Sequence, residues 1–443
     1  MLRTYAEPSP IQIAAINEYT PLLESILSSL PTNDASTRDR ILAQLDIHRS
    51  FIAPIRRLPV ELLSYIFSLV VEESPLRTLK IAVTLSRICI SWRKVARGHA
   101  ALWTTVVVET LDGFDEYREL FLPLTKDMLL DLRCDHREIL GDLWDRMAPY
   151  ASRWRRITLE ARLSMLPGLQ VLYMERLERL VVFACDAPTC SEVSVLDFVV
   201  APRLRHIGLT LDALQSERQL HIPVTRALTS LLIEAMAPFP VLHTLPLLRA
   251  CAETLKSLTL KIRLPSESSD ISYPTNTSNT FVMQSLTHLS LVDPACALLD
   301  HITAPLTQEL VLSTVPAHGP HSLLGFLNRS KASRHLRKLR VYDVEERDPA
   351  AWIPCLQLLD NLRELHFDDM LSNQGFIEKM TRYQNRPPLL PALEAIAIWR
   401  VFWDHLDLQD DIGEMFSSRD QETTTNGVES WKIVRWIDAW PDP

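Results

Sequence analysis

Thirteen histidines and seven cysteines are the residues of this chain best suited to chemistry. His318-Gly-Pro-His321 is the one close histidine pair, and no acidic or third ligand follows it at metal-binding spacing. The cysteines stand at 89, 134, 185, 190, 251, 296 and 355. They form no C-x-x-C pair and are odd in number, so neither a zinc site nor a disulfide framework is supported. They read as small buried hydrophobes in a reducing compartment. No G-x-S-x-G elbow presents a serine nucleophile, and no H-E-x-x-H helix presents a metal pair. A cysteine nucleophile needs a histidine and a carboxylate that only the fold can bring together. Glycines number 10 against 29 prolines, and neither phosphate-cradling glycine motif occurs. The expectation is a chain that is not an enzyme, with no catalytic, cofactor-binding or metal-binding residues.

Binding is the other chemistry open to side chains. Lys331-Ala-Ser-Arg334-His-Leu-Arg337-Lys338-Leu-Arg340 carries five Lys or Arg residues in ten. Guanidinium groups pair bidentately with phosphate, so the run could hold a phosphorylated segment. The bland alternative is a solvated edge. Lys and Arg total 46 and Asp and Glu 55, for a net charge of −9. With aromatics sparsely interleaved, nucleic acid is not expected as a partner. The longest uncharged apolar stretch, near Ala235–Leu248, contains three prolines and is too short to cross a bilayer. No apolar signal-peptide core occurs in Met1–Pro10. A soluble protein of the cytoplasm, the nucleus or both is expected.

Something must position such binding groups. The 443 residues are 47% hydrophobic and 23% charged, enough to bury a core. That length suits several domains or one elongated array. Near the front, Ile16, Tyr19, Leu23, Ile26 and Leu30 are spaced as one helix face, and Ile41, Leu45, His48, Ile52 and Ile55 as another. The spacing predicts a helical hairpin over residues 1–57. Its first helix is expected to start at a Thr20 cap, with Pro21 in the first turn. Its second is expected to start at a Ser36/Asp39 capping box. The hairpin could dimerise as a coiled coil, but the short seam favours packing within its own chain.

Residues 58–105 are the most informative. Leu58-Pro59-Val-Glu61-Leu62-Leu63-Ser-Tyr-Ile66-Phe67-Ser-Leu69-Val70 opens with a proline suited to a first helical turn. Apolar positions then cover more than half the helix circumference, whereas a helix facing only its own core needs a stripe of roughly 100°. So small a unit can hardly bury two apolar faces, and one should meet a partner. Cys89-Ile-Ser-Trp92-Arg-Lys-Val95-Ala96 and Ala101-Leu102-Trp103 follow. Together these residues resemble the F-box, and the preceding segment ending in Pro54-Ile-Arg-Arg57-Leu-Pro is similar to a form of that family common in mushroom-type fungi. A departure is the long charged link from Glu72 to Lys80, which leaves the start of the second helix open. The resemblance implies docking to the Skp-family linker of a cullin-RING (SCF) ubiquitin ligase. It implies contacts by Leu58, Pro59, Glu61, Leu62, Ile66 and Phe67, with Trp92 and Trp103 nearby. The two tryptophans could instead pin the bundle's own core.

Over residues 106–430 the pattern L-x-x-L-x-L recurs irregularly. Triplets start at Trp154, Leu177, Leu204, Leu228, Leu255 and Leu286, at intervals of 23, 27, 24, 27 and 31 residues, and again at Leu336, Leu362 and Leu393. A slipped copy, Leu306 with Leu310 and Leu312, fills the gap. These intervals suit a degenerate leucine-rich-repeat solenoid without an asparagine ladder. Pro265–Thr280 and Ser417–Glu429 are expected to be loops, and residues 431–443 a terminal cap. The fold class is then α/β: helical hairpin, three-helix F-box, irregular solenoid. Strand residues alternate in direction, so those between the triplet members face outward. Among them Arg340, Tyr342, His366 and Trp399 are expected to bind a client protein, since such types are enriched at hot spots. The expected function is that of a substrate receptor of an SCF-type ligase, or alternatively a scaffold acting outside ubiquitination.

Overall fold

The computed structural model describes residues 9–31, 34–53, 55, 58–74, 77–185, 193–194, 196–211, 220–222, 227–236, 241–262, 280–345, 348–368, 374–381, 389–399, 414–415 and 418. The loops expected at Pro265–Thr280 and Ser417–Glu429 (Thr280 and Ser418 apart) and the cap at 431–443 lie outside these residues. The protein is mixed α/β with a large parallel sheet. It divides into two compact units, Met1–Cys134 and Asp135–Pro443.

The first unit opens with helices α1 (Pro10–Ser29) and α2 (Ala35–Ile52). They are joined by an Arg49–Glu24 ion pair at 2.8 Å, and Thr20 Oγ1 lies 3.5 Å from His48 Nδ1. Both N-termini differ from the expectation. Ser9, not Thr20, caps α1, in a capping box with Gln12, and Pro21 sits inside the helix. The Thr20 hydroxyl donates back to the Ile16 carbonyl instead of capping. Asp34, rather than Ser36, caps α2 by accepting from the Thr37 amide. A carboxylate there also suits the positive end of the helix dipole.

Helices α3 (Val60–Glu72), α4 (Thr78–Ile88) and α5 (Ile90–Gly98) follow, then a tight turn over Ala100–Trp103. Thr78 therefore resolves where the second helix of this group begins. Cys89 separates α4 from α5 by taking an extended conformation. Its sulfur accepts the Trp92 amide at 3.4 Å, and its carbonyl the Arg93 amide. The C-x-x-W spacing is thus that of a cap to the amide it satisfies. Leu63, Phe67 and Val71 fall on one face of α3 and pack with Ala82, Leu85, Val95, Ala96, Leu102 and Trp103. Strand β1 (Thr105–Val108), helix α6 (Leu111–Leu120) and strand β2 (Leu130–Cys134) complete the unit, with β1 and β2 parallel.

The second unit is built on strands β3 (Trp154–Arg162), β4 (Arg179–Cys185), β5 (His206–Leu211), β6 (Ser230–Ala235) and β7 (Ser257–Ile262). Strands β8 (His288–Val292), β9 (Glu309–Val315), β10 (Lys338–Val344), β11 (Glu364–Asp368) and β12 (Ala395–Trp399) continue it. Each pairs in parallel with the one before it in this series. The register carries one inward residue onto the next: Ile157, Leu180, Ile207, Leu231, Leu258, Leu289, Leu310, Leu339, Leu365 and Ile396 form one row, all buried. The Leu159 row does the same through Phe367. Each buried side chain contributes about 1.5–3 kcal/mol, and does so only with a neighbouring strand on each side.

Backbone bonds hold the register. The carbonyl of Arg205 accepts both the Thr229 and Ser230 amides, and that of Thr229 both the Lys256 and Ser257 amides. The same double acceptance recurs at Lys256, Thr287, Gln308, Arg337 and Arg363. The slipped copy at Leu306 needs correcting. Leu306 is exposed, and Thr307, three residues before Leu310, occupies the first inward position with its hydroxyl bonded to the Ala304 carbonyl. The repeat there keeps its spacing and substitutes a self-satisfied threonine for leucine.

Connections include α-helices such as Gly319–Ser330 and Pro349–Gln357 and the 3-10 helix Asp293–Asp300. At Gly319 a Cβ would run into the Val315 side chain, so only glycine fits. Leu260 is fully buried and its neighbour Thr259 faces outward. Leu260→Ala is expected to lower unfolding free energy by about 2–5 kcal/mol, and Thr259→Ala by no more than about 0.5 kcal/mol. Urea denaturation of the two variants checks this, and equal losses would contradict the assigned register.

Candidate docking surfaces

On α3 the buried arc of Leu63, Phe67 and Val71 adjoins a second apolar arc. At 3.6 residues per turn, Tyr65, Leu69, Leu62, Ile66 and Val70 fall side by side around the helix. Tyr65 is 62% exposed, Leu62 51%, Leu69 42% and Val70 38%. The remaining polar strip includes Ser68, whose hydroxyl meets His99 Nε2 at 2.9 Å. The α3 sequence thus divides three ways: toward its own core, toward a polar neighbour, and toward solvent with large apolar groups.

The residues expected to contact a linker subunit separate accordingly. Pro59, Glu61 and Leu62 are exposed, and Leu58 and Ile66 are partly so. Phe67 and Trp103 are fully buried, so neither offers surface. The Trp103 indole donates to the Ala96 carbonyl at 2.7 Å and stacks on Phe121 at 5.3 Å. Its own carbonyl accepts the Tyr117 hydroxyl at 2.6 Å. Trp92 is half-buried, 4.9 Å from the Phe67 ring. Phe67 and Trp103 are core pins that set the angle at which α3 presents its outer arc. Tyr65, Leu69 and Val70 were missed by the motif, although their helical spacing put them on the same side as Leu62.

In the second unit the outward residues of adjacent strands also lie in rows. Arg340 and His366 are register partners, as are Glu309 and Lys338, and Lys338 and Glu364. Charges of opposite sign alternate here and neutralise one another. Lys338 pairs with Glu364 at 2.9 Å, Arg340 with Glu309 at 3.5 Å, and Glu309 lies 3.8 Å from His288. Tyr342 occupies the next outward position on β10. Trp399 ends β12, and its side chain lies outside the described residues. The structure therefore brings Arg340 and His366 together and leaves Arg340 already engaged. In the basic run, Lys338 and Arg340 sit on the strand within these pairs, while Lys331 and Arg334 flank the turn before it.

No group of three or more His, Cys, Asp or Glu able to hold a metal occurs among the described residues, and no described helix is long and apolar enough to cross a membrane. Burial raises the Cys251 thiol to about 11 and the Cys355 thiol to about 12, where neither forms a thiolate near neutrality.

Two measurements follow from these contacts. Trp103→Ala is expected to destabilise the first unit by about 3–5 kcal/mol, whereas Tyr65→Ala changes stability by no more than about 0.5 kcal/mol; thermal melts of both variants distinguish a pin from a presented side chain. Desolvation, and then the adjacent Arg340, lower the His366 pKa below the ordinary histidine value. As pH falls, the unfolded chain binds this proton first, so stability decreases through the ordinary histidine range and levels off below the folded pKa. Between about pH 7.5 and about pH 5, His366→Gln is expected to lose less of its urea midpoint than the parent protein; identical losses would remove His366 as the cause.

Compared with known proteins, the chain matches no family model and no curated protein.

Proposed function

We propose that the chain is the substrate-receptor subunit of an SCF-type cullin-RING ubiquitin ligase. In this reading α3 to α5 form an F-box that binds the Skp-family linker and, through it, a cullin. The strands from β3 onward form an irregular leucine-rich solenoid whose outward rows hold a client protein. The observation that carries the reading is the outer arc of α3, large and apolar and left uncovered beside an intact core. Exposed contiguous apolar surface of this kind marks an interaction site. The residues that pin and cap this bundle, Cys89, Trp92 and Trp103, are those of the motif it resembles.

The mechanism is proximity. The receptor performs no bond chemistry. It raises the effective concentration of a client lysine near a charged conjugating enzyme carried by the other subunits. No catalytic residue, metal or cofactor is required of it, and the working compartment is the cytoplasm, the nucleus or both.

Co-purification of the full chain with a Skp-family linker tests the docking step. Leu62→Glu/Leu69→Glu places charges in the outer arc without touching Leu63, Phe67 or Val71, and should weaken capture by roughly tenfold or more while the circular dichroism spectrum stays unchanged. Capture that is undiminished in this variant would overturn the proposal.

A further inference from the structure

The two halves of the strand array treat charge in opposite ways. Around β9 to β11, Glu309, Lys338, Glu364 and Arg340 alternate in sign and pair among themselves. At the start of the array the same row reads Arg156 on β3, Arg179 on β4 and His206 on β5, each the register partner of the next. All three are exposed. None makes an ion pair or side-chain hydrogen bond among the described residues. Neighbouring strands lie about 4.8 Å apart, and like charges placed directly opposite repel. His206 registers that field. Burial and then Arg179 and Arg205 lower its pKa, against the nearby Glu178. The lowered pKa leaves His206 mainly neutral near pH 7, so the charge of the row is that of Arg156 and Arg179, which lie in register and pair with no carboxylate among the described residues.

The next rows on the same strands add a different character. Val181 and Leu232 flank Gly208, and a Cβ on Gly208 would press on the Val181 methyls, so the three form a shallow apolar floor. Phe183 lies one position further along β4 and is 40% exposed. Glu160 stands opposite Phe183 on β3, giving the far side of the floor an acidic border. Continuing the cationic row, β6 and β7 contribute Ser230 and Ser257, whose hydroxyls can donate to an anion.

We infer that the β3 to β5 end of the open face is the client-recognition site, and that it takes an acidic peptide segment whose carboxylates lie along Arg156 and Arg179 and whose apolar side chains rest on Val181, Leu232 and Phe183. This rests on the receptor reading and moves its recognition residues from the self-paired region around Arg340 to the uncompensated one. Charge complementarity selects the class of partner: a cationic row next to an apolar floor suits a peptide carrying both acidic and apolar residues. A nucleic acid would be opposed by Glu160 and Glu178 and would find one aromatic, Phe183, to stack on.

Fluorescence anisotropy of the full-length chain with a labelled polyglutamate peptide tests this. The parent protein should bind it, with affinity falling as ionic strength rises. Arg156→Glu/Arg179→Glu should weaken binding at least tenfold, and Arg156→Lys/Arg179→Lys should retain most of it. Reversing a charge at the other end of the same array, as Lys379→Glu, should leave it within about twofold, because exposed charges beyond a Debye length are screened. Equal binding by Arg156→Glu/Arg179→Glu, equal binding of a polylysine peptide, or displacement of polyglutamate by a weaker-charged single-stranded oligonucleotide would each overturn the inference. Linker capture by Arg156→Glu/Arg179→Glu, measured in parallel, should be unchanged, so a failure at α3 and a failure at this row give different patterns.

Discussion

A strand with two large inward side chains and no partner cannot keep them from water. Every other property of the second unit depends on that constraint. Stacking in parallel register solves it, because each inward residue meets its equivalent above and below. The solution works only while parity holds, since a slip of one residue would turn a whole strand's leucines toward solvent. The carbonyls of Arg205, Thr229 and their successors, each accepting two amides from the next turn, fix that parity chiefly through the backbone, with the Thr229 and Thr287 hydroxyls adding to the Arg205 and Lys256 carbonyls. A dedicated side-chain ladder is not needed, which is why the loops can vary in length and composition around a constant frame.

The same parity creates the outer surface. Once alternate residues are committed inward, the others are held in rows at fixed spacing whatever their chemistry. One stretch of a row may be self-cancelling, as from Glu309 to Glu364, and another left charged, as at Arg156 and Arg179. In the first unit the logic runs the other way. The core of α3 to α5 is complete with Leu63, Phe67 and Val71 turned inward, so Leu62, Tyr65 and Leu69 are surplus to folding. Apolar surface kept at the expense of solubility is most simply understood as surface used for contact.

The inward rows were legible in the sequence because burial has a period, and the period survives insertion and deletion between strands. The outer arc of α3 was legible for the same reason, as too many apolar positions for one face. What was illegible depends on satisfaction by particular atoms. Pro21 suggested a helix start, but the Ser9 and Gln12 capping box lies upstream and the helix runs through the proline. Thr307 escaped notice because a threonine can be buried when a carbonyl three residues back accepts its proton. Arg340 and Arg156 look alike in sequence, both outward on a strand. Only the structure shows that one reaches diagonally to a glutamate on the neighbouring strand and the other lies in register with a second arginine.

The strand order has a further consequence. Each strand of the second unit lies against the one made before it, so its pairings join stretches close together in the chain. Assembly of that kind has low contact order and needs no distant partner to arrive. A nascent chain leaving the ribosome could lay down one rung at a time, each new rung covering the greasy edge of the last. The vulnerable moment in the life of this molecule is then the interval when the newest rung waits, uncovered, for the next to be synthesised.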